Sequence, residues 1–120
     1  MVRVDVTLDG AGILASCRVE GHAAWGRRGR DLVCAAVSVL TRSALRTLAG
    51  RKGIRLRGAA PERGLVWMEV EYDTEGRDFL AAAGTFLVEG LRSVSEMYPR
   101  CCSMTIGTMG NRDSGSRVED

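Results

Sequence analysis

The sequence has a single histidine in 120 residues, and its four cysteines (Cys17, Cys34, Cys101, Cys102) form no C-x-x-C pair. A structural zinc site draws four such ligands at short spacings, so the chain indicates no metal centre. No window approaches the ~18 uninterrupted apolar residues of a membrane-spanning helix. The opening Met1-Val2-Arg3-Val4-Asp5 alternates apolar and charged side chains, unlike a signal peptide. These two absences place the expected chain in the cytoplasm, away from membranes, where thiols stay reduced. An excess of one charge is also missing. With 17 basic and 15 acidic residues the net charge is +2, too even to argue for nucleic acid. Repeats and long linkers are absent, and the length fits one domain burying about two-thirds of its unfolded-chain surface.

What is present is a clear alternation of periods. Val2, Val4, Val6 and Leu8 repeat at the spacing of a half-buried strand, Asp9-Gly10-Ala11-Gly12 is a hairpin turn, and Ile13, Ala15, Cys17 and Val19 repeat the alternation up to Gly21. From Asp31, a plausible N-cap, the period becomes helical through Val33, Val37, Leu40, Ala44 and Leu48, and Gly50 and Gly53 stop it. Ile54–Arg57 is a short strand, Pro61 and Gly64 mark a turn, and Val66, Met68, Val70 and Tyr72 alternate in another strand. Asp78 opens a second helix with the stripe Leu80, Ala83, Leu87, Leu91 and Val94, which stops before Pro99. Cys101–Ile106 is a last strand. The order β-β-α-β-β-α-β predicts an α+β fold, one mixed or antiparallel sheet packed by two helices. It is expected over residues 1–110, and the polar, aperiodic 111–120 are expected to be a disordered tail.

The chemistry concentrates between Gly21 and Ser38. His22 lies just beyond a strand end, a loop rich in glycine and arginine follows, and Cys34 lies near a helix start. With Asp31 as N-cap, Cys34 would be the third helical residue, where free N–H groups and the positive end of the helix dipole favour a thiolate. The same N–H groups would suit an oxyanion, and a closing loop, freed by Gly26 and Gly29, would bring imidazole to thiolate. A cysteine in an Ala-Ala-Val setting is more often a small buried hydrophobe. Spacing alone leaves both readings open.

Taken as a pattern, Gly21-His22-Ala23 followed by Gly29-Arg30-Asp31-Leu32-Val33-Cys34-Ala35-Ala36-Val37-Ser38 resembles the signature of the ribosomal-processing cysteine protease family, Prp. The resemblance implies a cysteine endopeptidase that removes the N-terminal extension of a bacterial large-subunit ribosomal protein, the twenty-seventh, during ribosome maturation. It implies Cys34 as nucleophile, His22 as general base, a homodimer, and no metal or organic cofactor. Asp31 has two competing jobs, capping the helix or orienting His22 as a third member. Trp25, Arg27 and Ser38 are candidates for contacting substrate. The loop departs from the family in carrying Arg27, Arg28 and Arg30 where an acidic residue is expected, and Trp25 where a tyrosine is expected.

Two other classes compete. One is a noncatalytic ribosome-associated binding module, in which the loop arginines and a second basic cluster (Arg51, Lys52, Arg55, Arg57) contact the particle and Cys34 is inert. No aromatics are interleaved there for stacking on bases. The other is a thiol redox or sensing domain using Cys34. Cys101 and Cys102 are read as structural, and Trp67, pointing away from the core face, covers a partner surface or packs under a loop.

Overall fold

A computed structural model describes residues 1–21, 28–62 and 64–109, with the backbone alone described at 28–31 and 62. The elements run β1 (Val2–Leu8), β2 (Leu14–Glu20), α1 (Arg28–Leu48), β3 (Ile54–Glu62), β4 (Leu65–Tyr72), α2 (Arg77–Met97) and β5 (Cys102–Thr108). The five strands form one sheet in the order β3-β4-β2-β1-β5. All neighbours are antiparallel except β1 and β5, which run parallel, so of the two arrangements expected, mixed or antiparallel, the sheet is the mixed one. The expected tail, 111–120, lies outside the described residues.

The period-2 pattern places Val2, Val4, Val6, Cys17, Val19, Val66, Met68 and Val70 on one buried face. Both helices cover that face with Val33, Val37, Leu48, Leu80, Leu87 and Leu91, all nearly or fully excluded from water. Among the described residues Thr41 is the one polar side chain that is fully buried, and its hydroxyl donates to the Val37 carbonyl at 2.8 Å. The face turned away from the helices is charged. Arg57 and Arg55 there meet Glu69 and Glu71 across β3 and β4 at 3.2 and 3.5 Å, and Arg18 meets Glu20 at 3.7 Å. Trp67 lies on this outer face, paired in register with Arg18 and Ala59.

Three details differ from the sequence expectation. Leu8 pairs with Leu14 while Thr7 pairs with Ser16, so a bulge at Ala15 turns Leu14, rather than Ala15, into the core. Strand β3 continues through Pro61 to Glu62 instead of stopping near Arg57. It is an edge strand, where a missing N–H costs no ladder bond. Helix α1 begins at Arg28, three residues before Asp31.

The β1–β2 hairpin is tied down by one carboxylate. Asp9 Oδ1 accepts the N–H groups of Ala11 and Ile13 at 2.8 and 3.0 Å, and Oδ2 accepts the Tyr72 hydroxyl at 2.5 Å. Desolvation pushes the Asp9 carboxyl up, but the Tyr72 hydroxyl, the two N–H donors and the nearby Arg77 together outweigh it and hold it below the usual carboxylate range. The Tyr72 hydroxyl is raised, chiefly by its bond to Asp9. A depressed Asp9 stabilises the fold above the unfolded carboxylate range and loses that contribution as pH falls through its folded value. Wild type is therefore expected to lose thermal stability on acidification below pH ~4 more steeply than Asp9→Asn, as measured by melting curves across pH 2–7. Parallel curves would assign Asp9 no such role.

Candidate active site

Strand β2 delivers the chain to the site through Gly21, which is buried and donates its N–H to the Gly64 carbonyl at 2.9 Å. A Cβ added at Gly21 would come within 2.7 Å of Val2 Cα and 3.1 Å of the Met1 carbonyl oxygen. Only glycine fits between these backbones, so the point from which the chain enters the His22 loop is held by three strands. The sequence marks Gly64 only as a turn residue. Its positive φ of 85° opens the β3–β4 hairpin so that its carbonyl meets Gly21. His22, Trp25 and Arg27, expected here as base and substrate contacts, lie outside the described residues.

Cys34 is 8% exposed and packs at the margin of the core cluster that contains Val33 and Val37. Because α1 starts at Arg28, Cys34 is its seventh residue and not its third. This corrects the expectation of Asp31 as N-cap: Asp31 belongs to the first helical turn. The four N–H groups left free at a helix start belong to positions 28–31. A helical side chain leans back toward the N-terminus, so the Cys34 side chain leans toward that turn. The dipole effect fades beyond the first turn, and its pull at Cys34 is weaker than the shorter helix would have supplied. Ser38, half-buried, lies four residues on and shares the Cys34 side of the helix.

Two of the other thiols, Cys17 and Cys102, are poor nucleophiles for physical reasons. Burial, with a smaller contribution from Asp5, pushes the Cys17 thiol up to about 12, and burial followed by its neighbour Cys101 raises Cys102. All four cysteines are free. Iodoacetamide at pH 7 is expected to leave Cys17 and Cys102 unmodified in the folded protein. Peptide mapping checks this, and labelling of either at the rate of Cys34 would contradict it. Among the described residues no cluster of three His, Cys, Asp or Glu side chains is suited to hold a metal ion.

The second basic cluster is largely neutralised. Lys52 lies 3.5 Å from Glu75, Arg55 and Arg57 pair with Glu71 and Glu69, and Arg51 stacks 3.7 Å above the Phe79 ring. These exposed pairs add little stability, but they remove the charge excess a phosphate-binding surface would need. A groove of about 490 Å³ along Thr7, Ser16, Arg57 and Glu69 opens on the outer sheet face, across the sheet from Cys34, and contains none of the candidate residues.

With this geometry in hand, comparison with known proteins gives a consistent picture. The family model described as cysteine protease Prp matches residues 1–103. SMU.848 from Streptococcus mutans, a solved structure, is 27% identical with a TM-score of 0.72, over 91% of this chain and 96% of that one. The essential ribosomal processing protease Prp from S. aureus, solved with a substrate peptide, is 20% identical with a TM-score of 0.74, over 88% of this chain and 99% of that one. The same protease with a covalently linked product peptide gives a TM-score of 0.72, also at 20% identity and 88% and 99% coverage. At 20% identity the likeness speaks to the fold. No curated protein sequence matches the chain.

Proposed function

Since this chain belongs to the cysteine protease Prp family, we propose that it is a cysteine endopeptidase that removes the N-terminal extension of a bacterial large-subunit ribosomal protein, the twenty-seventh in the standard naming, during ribosome maturation. The observation that carries this reading is the span of the family match, residues 1–103, which includes both His22 and Cys34. The elevated Cys17 and Cys102 thiols support the choice of Cys34 among the buried cysteines.

In this mechanism Cys34 gives its proton to His22, and the thiolate attacks the scissile carbonyl carbon. The resulting oxyanion takes hydrogen bonds from the free N–H groups of the first turn of α1. Collapse forms a thioester and expels the amine, which receives its proton from the His22 imidazolium. Water then gives a proton to His22, attacks the thioester, and releases the carboxylic acid and the thiol. We propose that Asp31, in the first turn of α1, orients and charges His22. A carboxylate in the first turn also favours the helix dipole. Trp25, Arg27 and Ser38 are assigned to contacting substrate, and the working form is a cytoplasmic homodimer that needs no cofactor. Among the described residues no helix is long and apolar enough to cross a membrane.

Intact-mass spectrometry tests the covalent step. Brief incubation with a peptide spanning the extension, quenched in acid, should leave an adduct equal to the N-terminal fragment on Cys34. An adduct mapped to Cys101 would reject the assignment.

A further inference from the structure

The sheet has two edges, and the sequence treats them oppositely. Along β3 at one edge stand Arg55, Arg57 and Pro61, and the register breaks between Ala59 and Glu62. Charge, proline and a bulge all keep an edge from pairing with another chain. Strand β5, at the other edge, has none of them. Its seven residues, Cys102–Thr108, carry no charge and no proline, and its register with β1 is unbroken from Val2 against Cys102 to Leu8 against Thr108.

The ladder geometry tells which backbone groups are open. The Val2 N–H donates to the Cys101 carbonyl at 2.8 Å while Val2 stands in register with Cys102. In a parallel pair this turns the N–H and C=O groups of Ser103, Thr105 and Gly107 to β1, and those of Met104, Ile106 and Thr108 to the free side. The Cys102 N–H, of the same outward set, is taken by the Tyr98 carbonyl at 3.0 Å. Among the described residues no strand pairs with that side. Met104 and Ile106, in register with the buried Val4 and Val6, are half-buried at the margin of the core. The open row is therefore bordered by apolar surface.

This edge leads to the candidate site. Strand β5 begins beside Val2, whose Cα is the atom that leaves no room for a side chain at Gly21, where the chain enters the His22 loop. From there β5 runs away from the site. An extension lies N-terminal to its cut, so its chain must run toward the site, antiparallel to β5. Antiparallel pairing is the more stable kind.

We infer that β5 is the docking edge for the substrate's extension, which joins the sheet as an antiparallel strand through the N–H and C=O groups of Met104 and Ile106. The inference rests on the endopeptidase reading above and adds to it where the substrate lies. The segment that fits is extended and uncharged, with an apolar side chain at every second residue to meet Met104 and Ile106. The added strand stands three strand spacings from β2, about 14 Å. An extended chain crosses that distance in about four residues, so pairing begins about five residues before the cut.

Backbone N-methylation of the extension peptide tests the pairing without altering the protein. Only every second peptide residue turns its N–H to β5. Methyl groups at those positions should each raise KM about fivefold with kcat unchanged, because the contact is the same in ground and transition states. Methyl groups at the intervening positions should leave KM as it is. Hydrogen exchange of Cys34→Ala saturated with the unmethylated peptide should slow at the Met104 and Ile106 amides. Slowing along β3 instead, or a KM indifferent to methylation at every position, overturns the inference while cleavage by wild type leaves the endopeptidase reading standing. Folded, reduced wild type that cuts no such peptide overturns both.

Discussion

Cys34→Ala is expected to abolish cleavage of an extension peptide, and His22→Ala to lower kcat/KM by about 10²–10⁴-fold. The two losses differ in kind. Without Cys34 no atom in the site can form the thioester, so no residual turnover by the same route exists. Without His22 the thiol must ionise unaided and the leaving amine must find its proton in water. His22→Ala should therefore regain activity as pH rises toward the free thiol range near 8.5, whereas Cys34→Ala stays inactive at every pH. Cleavage rates followed by chromatography from pH 5 to 9 separate these outcomes. Equal and pH-independent losses in the two variants would deny His22 its role as base.

The second large effect is on the fold. The connection from α1 to β3 crosses the connection from β4 to α2 backbone on backbone at Gly53 and Gly76. The Gly53 carbonyl accepts the Asp73 N–H at 3.0 Å, and Gly76 returns an N–H to the Asp73 carbonyl at 3.1 Å. A Cβ at Gly76 would overlap the Gly53 carbonyl oxygen, and would sit 2.6 Å from its carbon and 2.7 Å from Ile54 Cγ1. These are mostly backbone atoms of a crossing fixed on both sides, and no rotamer relieves them. Gly76→Ala is expected to cost about 3 kcal/mol or more, lowering the melting temperature by roughly 10–20 °C. Gly10→Ala, where an added Cβ meets nothing within 4 Å, should change it little. Calorimetry of the two variants checks the contrast, and equal melting temperatures would show that the crossing relaxes freely.

Why these features differ in legibility follows from where their information lies. Strands β1, β4 and β5 and helix α2 announce themselves by period, because one face of each is buried and the other is wet. The bulge at Ala15 and the reach of β3 through Pro61 depend on which strand lies alongside, which no local pattern encodes. The start of α1 differs from the sequence expectation for a similar reason. Asp31 is a good N-cap residue, and nothing in Arg28-Gly29-Arg30 advertises a helix, glycine least of all. Gly53 is legible as a helix stop and Gly64 as a turn, but their second tasks, letting another backbone pass and reaching Gly21, come from residues distant in sequence.

The site divides along the same line. The pattern from Gly21 to Ser38 carries the proposed nucleophile and base because it resembles a family signature. The buried state of Cys17 and the elevation of its thiol belong to the folded sheet. Spacing and composition alone favour Cys34 as a small buried hydrophobe, and its place at the edge of the core, 8% exposed, suits either task. The family match over residues 1–103 identifies a cysteine protease family, and the catalytic role of Cys34 is the proposal built on it.

The most direct test of the central claim is to incubate the protein, under reducing conditions, with a peptide spanning the ribosomal protein extension and to identify the products by mass spectrometry. The account predicts a single cut by wild type, none by Cys34→Ala, and the same cut slowed by about 10²–10⁴-fold in His22→Ala. An intact peptide after incubation with folded, reduced wild type would contradict it, as would cleavage that survives the loss of Cys34.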